Sequence, residues 1–415
     1  MNDTARTNGF NTVSMVRVIA VWGPGLLVML ADTDAGNVVT AAQSGAQWGF
    51  RLLPLLILLI PMLYLVQELT VRLGIYTGRG HGELIRERFG VGWAWLSTAG
   101  LAAAVIGSLI TEFTGVAGIG ELYGLSRGLT LPLSAAALLA VVATGSYRRV
   151  ERTAIVIGLF ELAFFAVVWA AHPSLAALAK DAIDLPLDNR EFMYLAAAII
   201  GATFNPWMIF YQQSAIADKR LQPNDLAAAR WDTAFGAVLT QCLTGAVLVA
   251  AAALLTSGSA SAGLGSVGEI SNALTPLLGQ SVGRLVFSAG VLGASLVAAI
   301  VCSLALAWGV GEVAGYRRSL EDRPFEAKWF YGVYAACVVG SAAVVWLVPD
   351  LVWLTIAAQV LNAFLLPLVI GFLVALAVKA LPAPLRPRGL YIWVLVGISA
   401  VVIAVGLYGG VSGLL

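Results

Sequence analysis

Polar residues come in short clusters along this chain, and between them lie apolar runs of roughly the length a membrane-crossing helix needs, about 20 residues for a 30 Å hydrocarbon core. The runs predict eleven spans, at 18–47, 52–72, 94–125, 129–146, 152–172, 191–214, 232–256, 282–311, 329–348, 351–379 and 389–411. The connectors are short, so residues 18–415 read as a single transmembrane domain behind a cytoplasmic segment of residues 1–17. No small-residue cleavage site precedes the first run, which is therefore expected to stay in the mature protein. Two spans break the pattern. "DTDAGN" interrupts the first, and "GATFNPW" the sixth, where Pro206 has no backbone donor and disfavours helix at Asn205. Corresponding interruptions in two halves are the sequence sign of inverted repeats with a binding site where the helices unwind at the midplane. The repeats fall at about 18–172 and 191–379, with 389–411 as an added helix.

Composition narrows the class. At 60% hydrophobic, 11% charged and a mean hydropathy of +0.88, the chain carries too much apolar surface for a water-soluble globule. The formal charge of +1 is uninformative, but its distribution is not. With the N-terminus inside, Arg72, Arg79, Arg86, Arg148, Arg149, Lys219, Arg230, Arg317 and Arg318 fall on the cytoplasmic side, and only Arg51, Arg127, Lys180, Arg190 and Arg284 outside. A multi-pass protein of the cell membrane with an external C-terminus is the expectation. No basic tract suggests nucleic acid. Cys242, Cys302 and Cys337 lie in apolar runs without metal-ligand spacing and read as small core residues. There is no nucleophile motif, cofactor loop or soluble domain, so neither an enzyme nor a bound cofactor is expected; the partners are the bilayer and a transported solute, and the expected state is a monomer.

The breaks hold the candidate chemistry. An ionised carboxylate in hydrocarbon is costly and normally faces a polar cavity or a partner, yet Asp34 has no lysine or arginine near it in sequence. A half-helix that ends at a break presents free carbonyls and the negative end of its dipole, which favours a cation. Asp34, Asn37 and the Ala31 carbonyl, set against Asn205 and the Ala202 carbonyl, make a cluster of oxygens suited to a hard cation. The competing reading is that Asp34 and Asn37 only cap half-helices and that Asn205 only satisfies the backbone freed by Pro206. Asp32 either lines the entrance to the site or is a solvated residue on a cavity wall.

These residues resemble a family. "GPGLLVMLADTDAGNVVTAAQSGAQWGF" is similar to the first helix of the NRAMP divalent-metal transporters, whose signature Asp-Pro-Gly-Asn appears as Asp34, Ala35, Gly36 and Asn37. "VQELTVRLGIYTG" resembles the end of the family's second helix, "GATFNPW" its sixth, "RWDT" around Asp232 the start of its seventh and "AAQVLNAFLLPL" its tenth. The resemblance implies an all-α LeuT-type fold and secondary transport of divalent cations. The matching ligands are Asp34, Asn37 and the Ala31 and Ala202 carbonyls, and Gln359 matches a tenth-helix glutamine that can join them.

Several positions depart from the family pattern. Asn205, Pro206 and Trp207 stand where it has Met-Pro-His, so the soft sulfur that favours iron, manganese or cadmium over hard ions is replaced by an amide. The second histidine expected in the sixth helix falls at Gln212, and the third-helix acid pair appears as Glu112 with Gly115. His81 and His172 are the only histidines and both lie near connectors, so no histidine relay crosses the membrane. The losses resemble the magnesium-transporting branch of the family. Mg2+ keeps several waters and needs a roomy polar site with one or two carboxylates; Ala35 and Gly36 would leave room, and Trp207 would take some. The expected function is Mg2+ uptake, with Mn2+ also carried and weak or no proton coupling. The alternatives are a proton-coupled Mn2+ or Fe2+ transporter and, from another class, an amino-acid or organic-solute transporter, whose substrate carboxylate Asp34 would repel. Glu112 is either a residual proton acceptor or a buried acid bonded to Thr111 or Thr114, and Glu161 has no assigned role. Trp48, Trp93, Trp95, Trp346 and Trp353 read as interfacial anchors, and "GRGHGELIRERFG" as an amphipathic loop with a short helix beginning near His81.

Overall fold

The computed structural model describes residues 21–173, 175–256, 267–348 and 352–414. The expected cytoplasmic segment 1–17 and the first residues of the first span lie outside them. Every regular element among the described residues is helical. The first expected span is two helices laid end to end, α1 (Pro24–Asp32) and α2 (Ala35–Trp48), parted at Thr33 and Asp34. Then follow α3 (Leu53–Thr77), a short α4 (His81–Phe89), α5 (Val91–Leu122), α6 (Arg127–Val142) and α7 (Tyr147–Gly158). A 3-10 turn, Leu159–Leu162, links α7 to α8 (Ala163–Ala171), and α9 (Leu175–Asp181) follows. The sixth expected span is again a pair, α10 (Arg190–Thr203) and α11 (Pro206–Asp218). The remainder comprises α12 (Leu226–Thr256), a short α13 (Val267–Leu274), α14 (Gln280–Ala314), α15 (Lys328–Leu347), α16 (Val352–Lys379) and α17 (Leu390–Leu414).

Among the described residues nine helical segments are long and apolar enough to cross a membrane, with α6 a shorter apolar helix beside them. The seventh helix begins at Leu226 rather than at 232. Arg230 meets Glu68 of α3, and Asp232 meets the start of α1. The short helix expected at His81 is present.

Packing places the broken helices at the centre. α12 runs along α1, α2 and α3; α10 lies between α16 and α17; α11 lies against α14 and α3; and α14 packs along α5. Close approach is set by glycine. At Gly201 an added Cβ would overlap the Gln359 backbone carbonyl, so α10 and α16 touch backbone to backbone there. The outer faces carry exposed Trp93, Trp95, Trp346 and Trp353, as the anchor reading expects. Trp48 departs from it, for it is partly buried with its ring edge-on to Phe192 at 5.4 Å. Cys242, Cys302 and Cys337 are free thiols.

Candidate functional site

Each break has a local cause. In a continuous first helix the Ala35 N–H would bond the Ala31 carbonyl; here it donates to Glu112 Oε2 of α5 at 3.1 Å. Asp34 instead caps α2, its Oδ1 accepting from the Asn37 N–H at 2.7 Å. The Asn37 side chain reaches back across the gap, Nδ2 donating to the Asp32 carbonyl at 2.9 Å. In the sixth span Pro206 offers no N–H to the Ala202 carbonyl, and Asn205 Nδ2 takes that place at 2.8 Å.

Capping and ligation are therefore not exclusive for Asp34. Its Oδ1 serves the cap and receives Gln359 Nε2 at 3.4 Å, while its Oδ2 is buried without a hydrogen-bond partner. Glu112 is divided in the same way, with Oε2 on Ala35 and Oε1 unpartnered. It does not bond Thr111 or Thr114, whose hydroxyls turn back onto the Gly107 and Ile110 carbonyls of their own helix.

Asn205 satisfies the backbone freed by Pro206, one of the two readings its sequence position offers. Its amide is committed to the Ala202 carbonyl, and its Oδ1 accepts from Asn362 Nδ2. Asn362 also donates to Gln359 Oε1 at 3.1 Å, so Asp34, Gln359, Asn362 and Asn205 form one chain of contacts. Asn205 reaches Asp34 through α16, whereas Asp32 faces it directly, Nδ2 to Oδ1 at 3.4 Å. Asp32 also accepts from Thr240 at 3.4 Å and is fully buried, which overturns its reading as a solvated wall residue. The space expected at Gly36 is occupied, since a Cβ there would overlap Gln359 Nε2. Trp207 turns away to Ser108 Oγ at 3.2 Å, and Gln212 ties Thr70 to Thr233. At Gly115 a side chain would press on Ser295 Oγ at 2.7 Å and Ala35 Cβ at 2.9 Å, so this packing has no place for a second third-helix acid.

Asp34, Asn37, Asn205, Gln359, Ala31 and Ala202 are all within 1% of complete burial, so the site is closed to both sides. Among the described residues no group of three His, Cys, Asp or Glu side chains is placed to hold a metal alone. The donors are two carboxylates with free oxygens, amides and the Ala31 carbonyl. No described ion pair includes Asp32, Asp34, Glu112 or Glu161. Carboxylates this deep need hydrogen bonds or a cation, and the α2 N-terminus supplies amide donors to two of them. A crevice of about 10 Å³, room for one water, lies beside Asn205 and is lined by Gln67, Met208 and Ile370 among others.

Asn362 and Thr240 were missed in the sequence. Asn362 was detectable as the second amide, three residues after Gln359, on one face of an otherwise apolar helix.

Comparison with known proteins bears on the family and the fold. The family Nramp, natural resistance-associated macrophage protein-like, matches residues 25–412. A divalent metal cation transporter, MntH 1, of Pseudomonas aeruginosa is 34% identical over 303 residues, 68% of this chain and 67% of its own length. An MntH of Aeromonas hydrophila is 31% identical over 310 residues, 71% of this chain and 72% of its own. Among solved structures, the manganese transporter of Eremococcus coleocola superposes with a TM-score of 0.75 at 19% identity, covering 98% of this chain and 88% of that one. A Na+-coupled sialic acid symporter superposes at 0.63 and 13% identity, covering 95% and 87%.

Proposed function

This chain belongs to the Nramp family, and from that premise we propose that it is a divalent metal cation transporter whose cargo is Mg2+, with Mn2+ also carried and little or no proton coupling. The observation that carries the choice of ion is the chemistry of the closed site. Its unpartnered side-chain oxygens belong to Asp34, Glu112 and Asn362, the Ala35 N–H that a continuous helix would give to the Ala31 carbonyl goes to Glu112, and the sixth-helix position expected to bring sulfur is an amide, Asn205. Hard oxygen donors suit Mg2+, which takes one or two carboxylates; a thioether would favour softer ions. The acids also argue against an amino-acid cargo on this fold, because a substrate carboxylate would meet Asp34 with no cation beside it.

The reading of weak coupling rests on Gln212 and Gly115. Gln212 is an amide held by Thr70 and Thr233, unable to relay protons as a histidine does. Gly115 is closed to an acid by Ser295 and Ala35. We further propose a cell-membrane location with the N-terminus inside, from the distribution of lysine and arginine, and a 5+5 inverted repeat, from the paired interruptions.

One observation favours a second reading. Met208 lines the same crevice as Asn205, and a thioether there suits a proton-coupled Mn2+ or Fe2+ transporter. Purified protein in liposomes, with interior Mg2+, Mn2+ and pH each followed by its own dye, separates the two. Magnesium uptake without acidification supports the proposal. Manganese uptake with parallel proton influx and no magnesium signal overturns it in favour of the second reading.

A further inference from the structure

Glu161 is a buried acid that the cargo site does not use. It lies in the 3-10 turn between α7 and α8, fully buried, and neither carboxylate oxygen has a hydrogen-bond partner. Its position is enforced by packing on both sides. Gly158 sits on Leu30 of α1, where a Cβ would come within 3.0 Å of the leucine side chain. From α14, a Cβ at Gly293 would meet the Ile157 carbonyl at 2.7 Å. These two contacts hold the turn against the first-helix break, and Thr33, the residue of the break itself, lies beside the Glu161 carboxyl. Thr33 Oγ1 lies 2.9 Å from Thr240 Oγ1, and Thr240 in turn donates to Asp32 at 3.4 Å.

This side of the break is therefore lined by two carboxylates and two hydroxyls. It adjoins the side where Gln359 and Asn362 engage Asp34 and Asn205, since Asp32 Oδ1 also meets Asn205 Nδ2 at 3.4 Å. A purely structural role does not account for Glu161, since a buried acid without a partner destabilises a fold that an apolar residue of similar volume would fill. The charge count points the same way. Asp32, Asp34, Glu112 and Glu161 are four formal negative charges, and no described ion pair joins any of them to a lysine or arginine. One divalent cargo ion compensates two.

We propose that Glu161, Asp32, Thr33 and Thr240 form a second cation site beside the cargo site, taking a small hard divalent ion of the Mg2+ or Mn2+ class. All its donors are oxygens, as such an ion requires. The proposal rests on the cargo reading only in treating the break as a cation-lined region, and the two fail separately.

The test is Mn2+ binding by the full-length chain in lipid nanodiscs, with bound Mn2+ counted by equilibrium dialysis and its environment read by electron paramagnetic resonance. The expected result is two ions for the unmodified protein and one for Glu161→Gln. Asp34→Asn should also bind one, with a different spectrum. Thr240→Val, which keeps both acids, should weaken only the ion lost in Glu161→Gln, by at least threefold. Gel filtration shows that each variant is folded. Two ions retained in Glu161→Gln, or at most one in the unmodified protein, overturns the second site. If Asp34→Asn keeps both ions while Glu161→Gln loses one, the cargo site is wrong and the second site stands.

Discussion

Removing the Asp232 carboxylate should loosen the first half-helix from its far end. The first N–H groups of a helix have no partner within it, and α1 has no capping side chain of its own. Asp232, more than 200 residues away on α12, accepts from the Gly23 N–H at 3.1 Å, the Gly25 N–H at 2.8 Å and the Leu26 N–H at 3.1 Å. Pro24 between them has no donor. Close contact requires glycine at position 25, where a Cβ would lie 2.8 Å from Asp232 Oδ2. A hydrogen bond to a charged group is worth roughly 1.5–3 kcal/mol, and a lost helix cap alone about 0.5–2. Water reaching the freed end recovers part of three such bonds, so Asp232→Ala should cost about 3 kcal/mol. At about 1.4 kcal/mol per tenfold, amides at the start of α1 should exchange with deuterium roughly 100-fold faster through local opening. Asp232→Asn keeps one acceptor oxygen and should show about half that cost, roughly tenfold. Mass spectrometry of a peptide covering 21–32 reads both, with a peptide from α10 as the unchanged control. Exchange at the unmodified rate in Asp232→Ala would refute the clamp.

Gly36→Ala drives a methyl into Gln359 Nε2 and should lower metal flux in liposomes at least tenfold, with a stability loss of about 1–3 kcal/mol from overpacking. Asn205→Met frees the Ala202 carbonyl, removes the acceptor of Asn362 and adds sulfur; Mg2+ flux should fall at least tenfold while Cd2+ becomes the better competitor, as measured by dye uptake. Burial lowers the pKa of His81 to about 4, its bond to Gln213 opposing the shift. The unfolded chain, with an ordinary histidine near 6.5, takes up the proton first as pH falls, so stability is lost between about pH 6.5 and 4, by about 3 kcal/mol at the acid end. Melting of His81→Gln in detergent should show a shallower acid limb than the unmodified protein; identical limbs would remove His81 as the cause.

Nine of the eleven expected spans, among the described residues, and both interruptions were legible in the sequence because run length and Pro206 act locally. Apolar run length decides which segments suit a bilayer, and Pro206 withdraws its own donor wherever the helix packs. Asp34 stood out for the same reason, a charge inside an apolar run. What those residues touch was not legible. Ala35 bonds Glu112 across 77 positions, Asn362 reaches Asn205 across 157, and Asp232 closes α1 from more than 200 away. Periodicity assigns a residue to a face of its own helix and says nothing of what that face meets. Tertiary packing turned Asp32 inward onto Asn205 and Thr240, filled the space at Gly36 with Gln359, and left one oxygen each of Asp34 and Glu112 free. Those outcomes follow from which helices lie together at glycine contacts, a property of several distant segments at once rather than of any one stretch of chain.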